Sequence, residues 1–152
     1  VSTSLPISTK ECIEICNALR YKPLARAKAI LQDVVSLTKP IAYRRFLWDM
    51  GHKPGMAAGR YPVKASGFML VLLASAEANA QFKGLHTANL RVAHVCAHRA
   101  SRPIRAGRHR GRLAKRTHLE IVLEEKVMKT AQKKDTNVQK ETAEKKSAEK
   151  KK

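Results

Sequence analysis

The sequence predicts an α+β domain, and three observations carry that prediction. Strand-type alternation of apolar and polar residues occurs towards both ends of the chain, three helix-type stretches lie between, and a long basic hairpin links the last two strand-like runs. The 152 residues suffice for one modest core and a tail. A single domain is therefore expected over 1–127, with a hairpin extension at about 90–125, followed by a low-complexity basic tail over 128–152.

Val1 to Ile7 suits a short edge strand, a reading weakened by Pro6. Ser8 or Thr9 can cap a helix running through Leu19, with Cys12, Ile13, Cys16 and Leu19 as its apolar stripe. Tyr21 to Pro23 turns the chain. A second helix places Leu24, Ala27, Leu31 and Val34 or Val35 inward, and stops before Pro40. From Lys39 to Arg60 the pattern is irregular and rich in glycine, so a surface loop is expected. Its Arg44, Arg45, His52, Lys53 and Arg60 are interspersed with Phe46 and Trp48, a mixture able to sit on RNA. Pro62 marks a helix start and Gly84 a helix end, which makes Val63 to Lys83 the longest helix. Phe68, Val71, Leu72 and Ser75 to Ala76 mark it as the central buried element. Leu85 to Asn89 turns into the hairpin.

In the hairpin, Leu90, Val92, His94 and Cys96 alternate with Arg91, Ala93, Val95 and Ala97, while Leu119, Ile121 and Leu123 oppose His118, Glu120 and Glu124. Between Arg99 and Arg116 every charged residue is basic, eight in all, and only Ile104 and Leu113 are sizeable apolar side chains. Such a segment buries too little to offset its ordering entropy and repels itself across a ladder, so alone in water it is expected to be mobile. About a dozen residues at roughly 3.3 Å each reach about 40 Å, well outside a small domain. A polyanion must receive it.

The formal charge is +19 and the isoelectric point is near 10.4. Arginine dominates the hairpin, whereas residues 129–152 carry nine Lys, no Arg and four acids. Guanidinium forks suit fixed bidentate phosphate contacts, and a lysine tail suits loose screening; the tail is expected to be disordered or transiently helical. Membrane insertion is not expected, because the basic run has no aromatic or leucine-rich face and the longest apolar run, Phe68 to Ala76, is too short to span a bilayer. The arginine run also fits a localisation signal, but one borne between two strands is better explained by docking on RNA.

Cys12, Cys16 and Cys96 form an odd set without a recognisable secretory leader, and all three read as reduced, small core residues in a cytoplasmic protein. His94, Cys96 and His98 share a strand face and, with Cys12 and Cys16, offer metal ligands. No CxxC knuckle accompanies them, so no metal and no cofactor are expected. His98 instead meets RNA or backbone. His118, Glu120, Glu124 and Glu125 lie on a returning strand away from any nucleophile motif, and Gly55 and Gly59 match no phosphate-loop or dinucleotide fingerprint. An enzyme is not expected.

Several stretches then become familiar together. Gly51-His52-Lys53-Pro54-Gly55, Gly59-Arg60-Tyr61-Pro62-Val63-Lys64-Ala65, Asn79-Ala80, Lys83-Gly84-Leu85, His94 to His98, Arg105-Ala106 with Gly107-Arg108, and His118 to Glu125 occur in order over roughly Ser8 to Glu125. In this order and spacing the chain resembles the large-subunit ribosomal protein family numbered twenty-two in bacteria and seventeen in eukaryotes, in its archaeal and eukaryotic branch. The resemblance implies three helices packed on a small antiparallel sheet, with a long protruding basic hairpin that lines the nascent-peptide exit tunnel. Implied partners are ribosomal RNA of the large subunit, neighbouring large-subunit proteins and the nascent polypeptide, with no homo-oligomer. It implies a cytoplasmic ribosome, with nuclear or nucleolar passage in a eukaryote, which the lysine-rich tail favours.

The chain departs from the family pattern in starting almost at its first strand, in a hairpin a few residues shorter, and in Ile104, where the family has an aromatic. One residue is also missing between Ala106 and Gly107. The expected RNA contacts are Arg44, Arg45, His52, Lys53, Arg60 and Lys64 on the body. On the hairpin they are His98, Arg99, Arg102, Arg105, Arg108, His109, Arg110, Arg112, Lys115 and Arg116, with the tip at Arg105, Ala106, Gly107, Arg108 and Gly111. Gly107 and Gly111 are expected to supply positive φ or close backbone approach there. The alternative reading is a DNA-architectural or chromatin protein using the hairpin as a groove-binding ribbon; a metal-dependent hydrolase is a distant third.

Overall fold

The computed structural model describes residues 1–108 and 111–126. The expectations for His109, Arg110 and the tail lie outside them. Elements follow in the order β1 (Ser2–Leu5), α1 (Thr9–Leu19), α2 (Leu24–Val35), β2 (Ile41–Ala42), β3 (His52–Lys53), β4 (Met56–Arg60), α3 (Val63–Phe82), β5 (Leu90–Arg99) and β6 (Thr117–Glu125), with a 3-10 turn at Thr87–Asn89 before β5. The class is α+β: three helices with two small antiparallel sheets, ordered β1-β6-β5 and β2-β4-β3. Among the described residues no helix is long and apolar enough to cross a membrane.

The core lies where the helices meet the β1-β6-β5 sheet. Ile15 and Leu19 of α1, Leu31 and Val34 of α2, Met69 and Leu73 of α3, and Leu90, Val92, Val95 and Leu119 of the sheet are fully buried in one cluster. Each buried aliphatic side chain of this size contributes about 1.5–3 kcal/mol relative to exposure. Helix α1 turns its face slightly from the expected stripe: Ile15 is buried and Ile13 only partly so. Helix α3 is apolar over most of its circumference, so periodicity does not reveal its inner face. Ala65, Ser66, Met69, Leu73 and Ala80 point inward, whereas Val71 is 71% exposed, against the expectation that it is core.

Helix ends follow backbone chemistry. Gly84, at φ 75°, closes α3 by donating its N–H to the Gln81 carbonyl, while Leu85 N–H reaches the Ala80 carbonyl. Helix α2 ends ahead of Pro40 by the same device, with Leu37 at φ 60° in the position glycine favours and Thr38 N–H bonded to the Asp33 carbonyl at 2.9 Å. Lys28 and Glu77 form an ion pair joining α2 to α3.

Two expectations about strands are corrected. Residues between Lys39 and Arg60 are not merely a loop: β2 and β3 flank β4, with Ile41 opposite Arg60 and His52 opposite Ala58. Apart from Ile41, the two-residue strands and the sequence Met-Ala-Ala-Gly-Arg carry no β-branched residue, and they are too short to alternate, so pairing is imposed by tertiary closure. The second correction concerns β5, which carries a bulge between Val92 and His94. The extra residue, Ala93, resets the alternation, so Val95 enters the core and His94 is exposed. Cys96, opposite Glu120, is consequently half-buried rather than a core residue like Cys12 and Cys16.

Beyond β5 and β6 the basic segment continues as a paired arm. Ala100 N–H donates to the Arg116 carbonyl, Ala114 N–H to the Pro103 carbonyl and Arg105 N–H to the Arg112 carbonyl, with Ile104 bridged to Leu113.

Candidate nucleic-acid interface

The body's basic loop is held by a carboxylate. Glu14, 1% exposed in α1, accepts hydrogen bonds from three successive backbone N–H groups: Arg44 at 3.1 Å, Arg45 at 2.8 Å and Phe46 at 2.8 Å. A buried carboxylate is tolerable only when so satisfied, and three donors in a row impose one conformation on the segment. The two arginine side chains thus leave a fixed backbone and stand exposed. Sequence reasoning missed Glu14, although a lone acid inside Cys12-Ile13-Glu14-Ile15-Cys16 was the available signal.

Beside this loop, Lys10 and Arg45 lie over the Phe46 ring at 5.6 and 5.5 Å from its centroid, and Lys53 lies over Tyr61 at 5.6 Å. Trp48 is 81% exposed. His52 and Arg60 are exposed on β3 and β4, while Lys53 is partly covered.

The arm and the body share a cleft of about 630 Å³. Lys64 from the first turn of α3, Arg105 and Arg112 from the arm, and Lys115 and Arg116 from its base line it, with Glu11 as the acid. A second, smaller pocket adjoins it through the shared residues Ser8, Glu11 and Lys115, and adds Lys10 and Arg60. Five cations around one cleft with a single carboxylate attract polyanions and disfavour basic proteins and cationic ligands. Arg116 also serves the fold, since one guanidinium nitrogen donates to the Ser4 carbonyl at 3.3 Å. The arm's root is fixed by buried Thr117, whose hydroxyl donates to the Ile7 carbonyl at 3.0 Å and lies 2.8 Å from that of Thr9.

Other expected contacts stand apart from this cleft. Arg99, Arg102 and Arg108 are exposed along the arm. His98 Nε2 lies 3.9 Å from Glu120 Oε2 on the opposing strand. Gly107 and Gly111 have φ of 118° and 87°, within the turn closed by Arg105 and Arg112. Among the described residues no three His, Cys, Asp or Glu side chains gather closely enough to hold a metal ion. Burial pushes the Cys12 thiol up to about 12, with Glu11 adding to the effect; burial, then Cys12 and Cys96, does the same to Cys16. Both are protonated thiols at neutral pH, unsuited to nucleophilic work.

Comparison with known proteins agrees with this geometry. The family described as Ribosomal protein L22p/L17e matches residues 1–124. Large ribosomal subunit protein uL22 of Ignicoccus hospitalis is 40% identical over 131 residues, covering 79% of this chain and 82% of that protein. Its counterpart in Methanocaldococcus jannaschii is 36% identical over 130 residues (80% and 83%), and that of Thermoplasma acidophilum 45% over 93 residues (61% and 62%). These relatives are named as ribosomal proteins, not as enzymes. With residues 1–124 matched and the relatives covered over most of their length, the chain belongs to the L22p/L17e family of ribosomal proteins.

Proposed function

We propose that this protein is a structural constituent of the large ribosomal subunit that binds ribosomal RNA with its body and carries its arm through the RNA to line the nascent-peptide exit tunnel. The observation that supports this best is the continuous basic surface, in which Lys64, Arg105, Arg112, Lys115 and Arg116 share one cleft between arm and body. RNA segments that would repel one another are drawn together when these cations release their counterions. The packed body fixes the arm's base, so the arm's direction is set before RNA arrives.

In this reading residues 1–127 form one RNA-binding domain and 128–152 a screening tail. The partners are ribosomal RNA, adjoining large-subunit proteins and the passing nascent chain, and the protein works as a single copy without a cofactor in the cytoplasmic ribosome. In a eukaryote it would pass through the nucleus. The test is sedimentation of tagged protein from cell extract. Cofractionation with the large subunit after a high-salt wash is expected; recovery only with chromatin would replace this reading with a DNA-architectural one.

A further inference from the structure

The smaller pocket, of about 310 Å³, differs in chemistry from the phosphate cleft it adjoins. Its wall combines Phe46 and Trp48 with the cations Lys10, Arg60 and Lys115 and the carboxylate of Glu11. Tyr43 belongs to the same wall. It is only 4% exposed, and its hydroxyl has no hydrogen-bond partner among the described residues. A buried phenol without a partner is uncommon in folded proteins, and a hydrogen-bonding group entering the pocket beside it would complete it. Burial raises the Tyr43 phenol well above its ordinary value, with Glu11 adding to the shift and Arg60 opposing it, so the hydroxyl stays protonated and able to donate.

We propose that this pocket receives one unpaired nucleotide extruded from RNA. The inference rests on the RNA-binding reading and specifies a site within it. Trp48, 81% exposed, is the open stacking platform, since Phe46 already carries Lys10 and Arg45 over its ring. The Tyr43 hydroxyl donates to a base carbonyl or ring nitrogen. Glu11 accepts from an exocyclic amine or a ribose hydroxyl, while Arg60 and Lys115 take the flanking phosphates. A volume at the small end of ligand sites suits one nucleotide and excludes a duplex. The cleft next door, through Lys115, continues the strand's path towards Lys64 and the arm.

Trp48 is the chain's only tryptophan, so its fluorescence reports on the loop that walls this pocket, and the abasic hairpin controls for RNA that merely approaches it. The experiment titrates the full chain with an RNA hairpin carrying a single-nucleotide bulge, with the same hairpin carrying an abasic bulge, and with the four free nucleoside monophosphates. Binding is measured in parallel by filter retention. The bulged hairpin should quench Trp48 and bind about 5- to 100-fold more tightly than its abasic twin. Tyr43→Phe should remove part of that discrimination while leaving abasic binding unchanged, and should not lower the stability of the free protein. Equal binding and equal quenching by the two hairpins would overturn the pocket and leave RNA binding by the arm intact. Failure of both hairpins to bind would overturn both readings, and quenching by mononucleotides alone would assign the pocket to a free nucleotide instead.

Discussion

Replacing Glu14 by Gln tests how the body presents its basic loop. Glu14 Oε1 accepts the N–H groups of Arg45 and Phe46, each at 2.8 Å, and Oε2 accepts that of Arg44 at 3.1 Å. A carboxamide has one acceptor oxygen. Its best orientation keeps that oxygen beneath Arg45 and Phe46 and turns its amide donors towards Arg44 N–H, leaving a buried donor facing a donor at a cost of about 1–3 kcal/mol. The two surviving bonds also lose their charge assistance, about 0.5–1 kcal/mol each. The sum is about 3 kcal/mol. With a urea slope of about 2 kcal/mol/M, the unfolding midpoint should fall by about 1.5 M without a change of slope. Below that midpoint the variant should be folded, yet bind RNA more weakly, because Arg44 and Arg45 no longer leave a fixed backbone. A midpoint within about 0.3 M of the unmodified protein would refute the reasoning and show that the three N–H groups find other acceptors.

Further expectations follow from the backbone and the thiols. Leu37→Gly should raise stability by about 0.5–1 kcal/mol in urea unfolding, because Leu37 sits at φ 60° and is 59% exposed, so little packing is lost. Gly107→Val and Gly111→Val should reduce incorporation into large subunits, measured by sedimentation, more than they lower the urea midpoint of the free protein, since φ there is positive and an added Cβ meets nothing within 4 Å. Cys12 and Cys16 hold their protons more tightly folded (about 12) than at the ordinary 9.0, so their stabilisation is complete below about pH 9 and is lost as pH rises towards 12. A Cys12→Ala, Cys16→Ala double variant should therefore show a shallower loss of stability in urea titrations across that window.

Much of this fold was legible because its main elements obey simple periods. The helices through Leu19, Val35 and Phe82 show apolar residues at helical spacing or lie between Pro62 and Gly84, and β6 keeps the strict alternation of Leu119, Ile121 and Leu123. What stayed hidden had no periodic signal. Ala93 shifts β5 by one residue, which no local propensity announces, and so moves His94 out and Val95 in. The β2-β4-β3 sheet is built, apart from Ile41, from residues with little strand preference. The basic residues of the interface were readable from charge alone, but their grouping was not, since Lys64, Arg105 and Arg112 come from distant parts of the chain. Glu14 and Tyr43 escaped notice because each acts through burial, which depends on contacts made only when α1 meets the loop after β2.

The central claim, that arm and body hold RNA through phosphate contacts, is tested most directly by the salt dependence of binding to a large-subunit ribosomal RNA fragment. If about eight cations engage phosphates, the logarithm of affinity should fall against the logarithm of salt with a slope of roughly −6, using the single-strand coefficient. Changing Lys64, Arg105 and Arg112 together to Ala, all three on the shared cleft, should flatten that slope by about 2 and leave discrimination among RNAs of equal shape unchanged. A slope in the triple variant equal to that of the unmodified protein would contradict the account, because Lys64, Arg105 and Arg112 would then hold no phosphate.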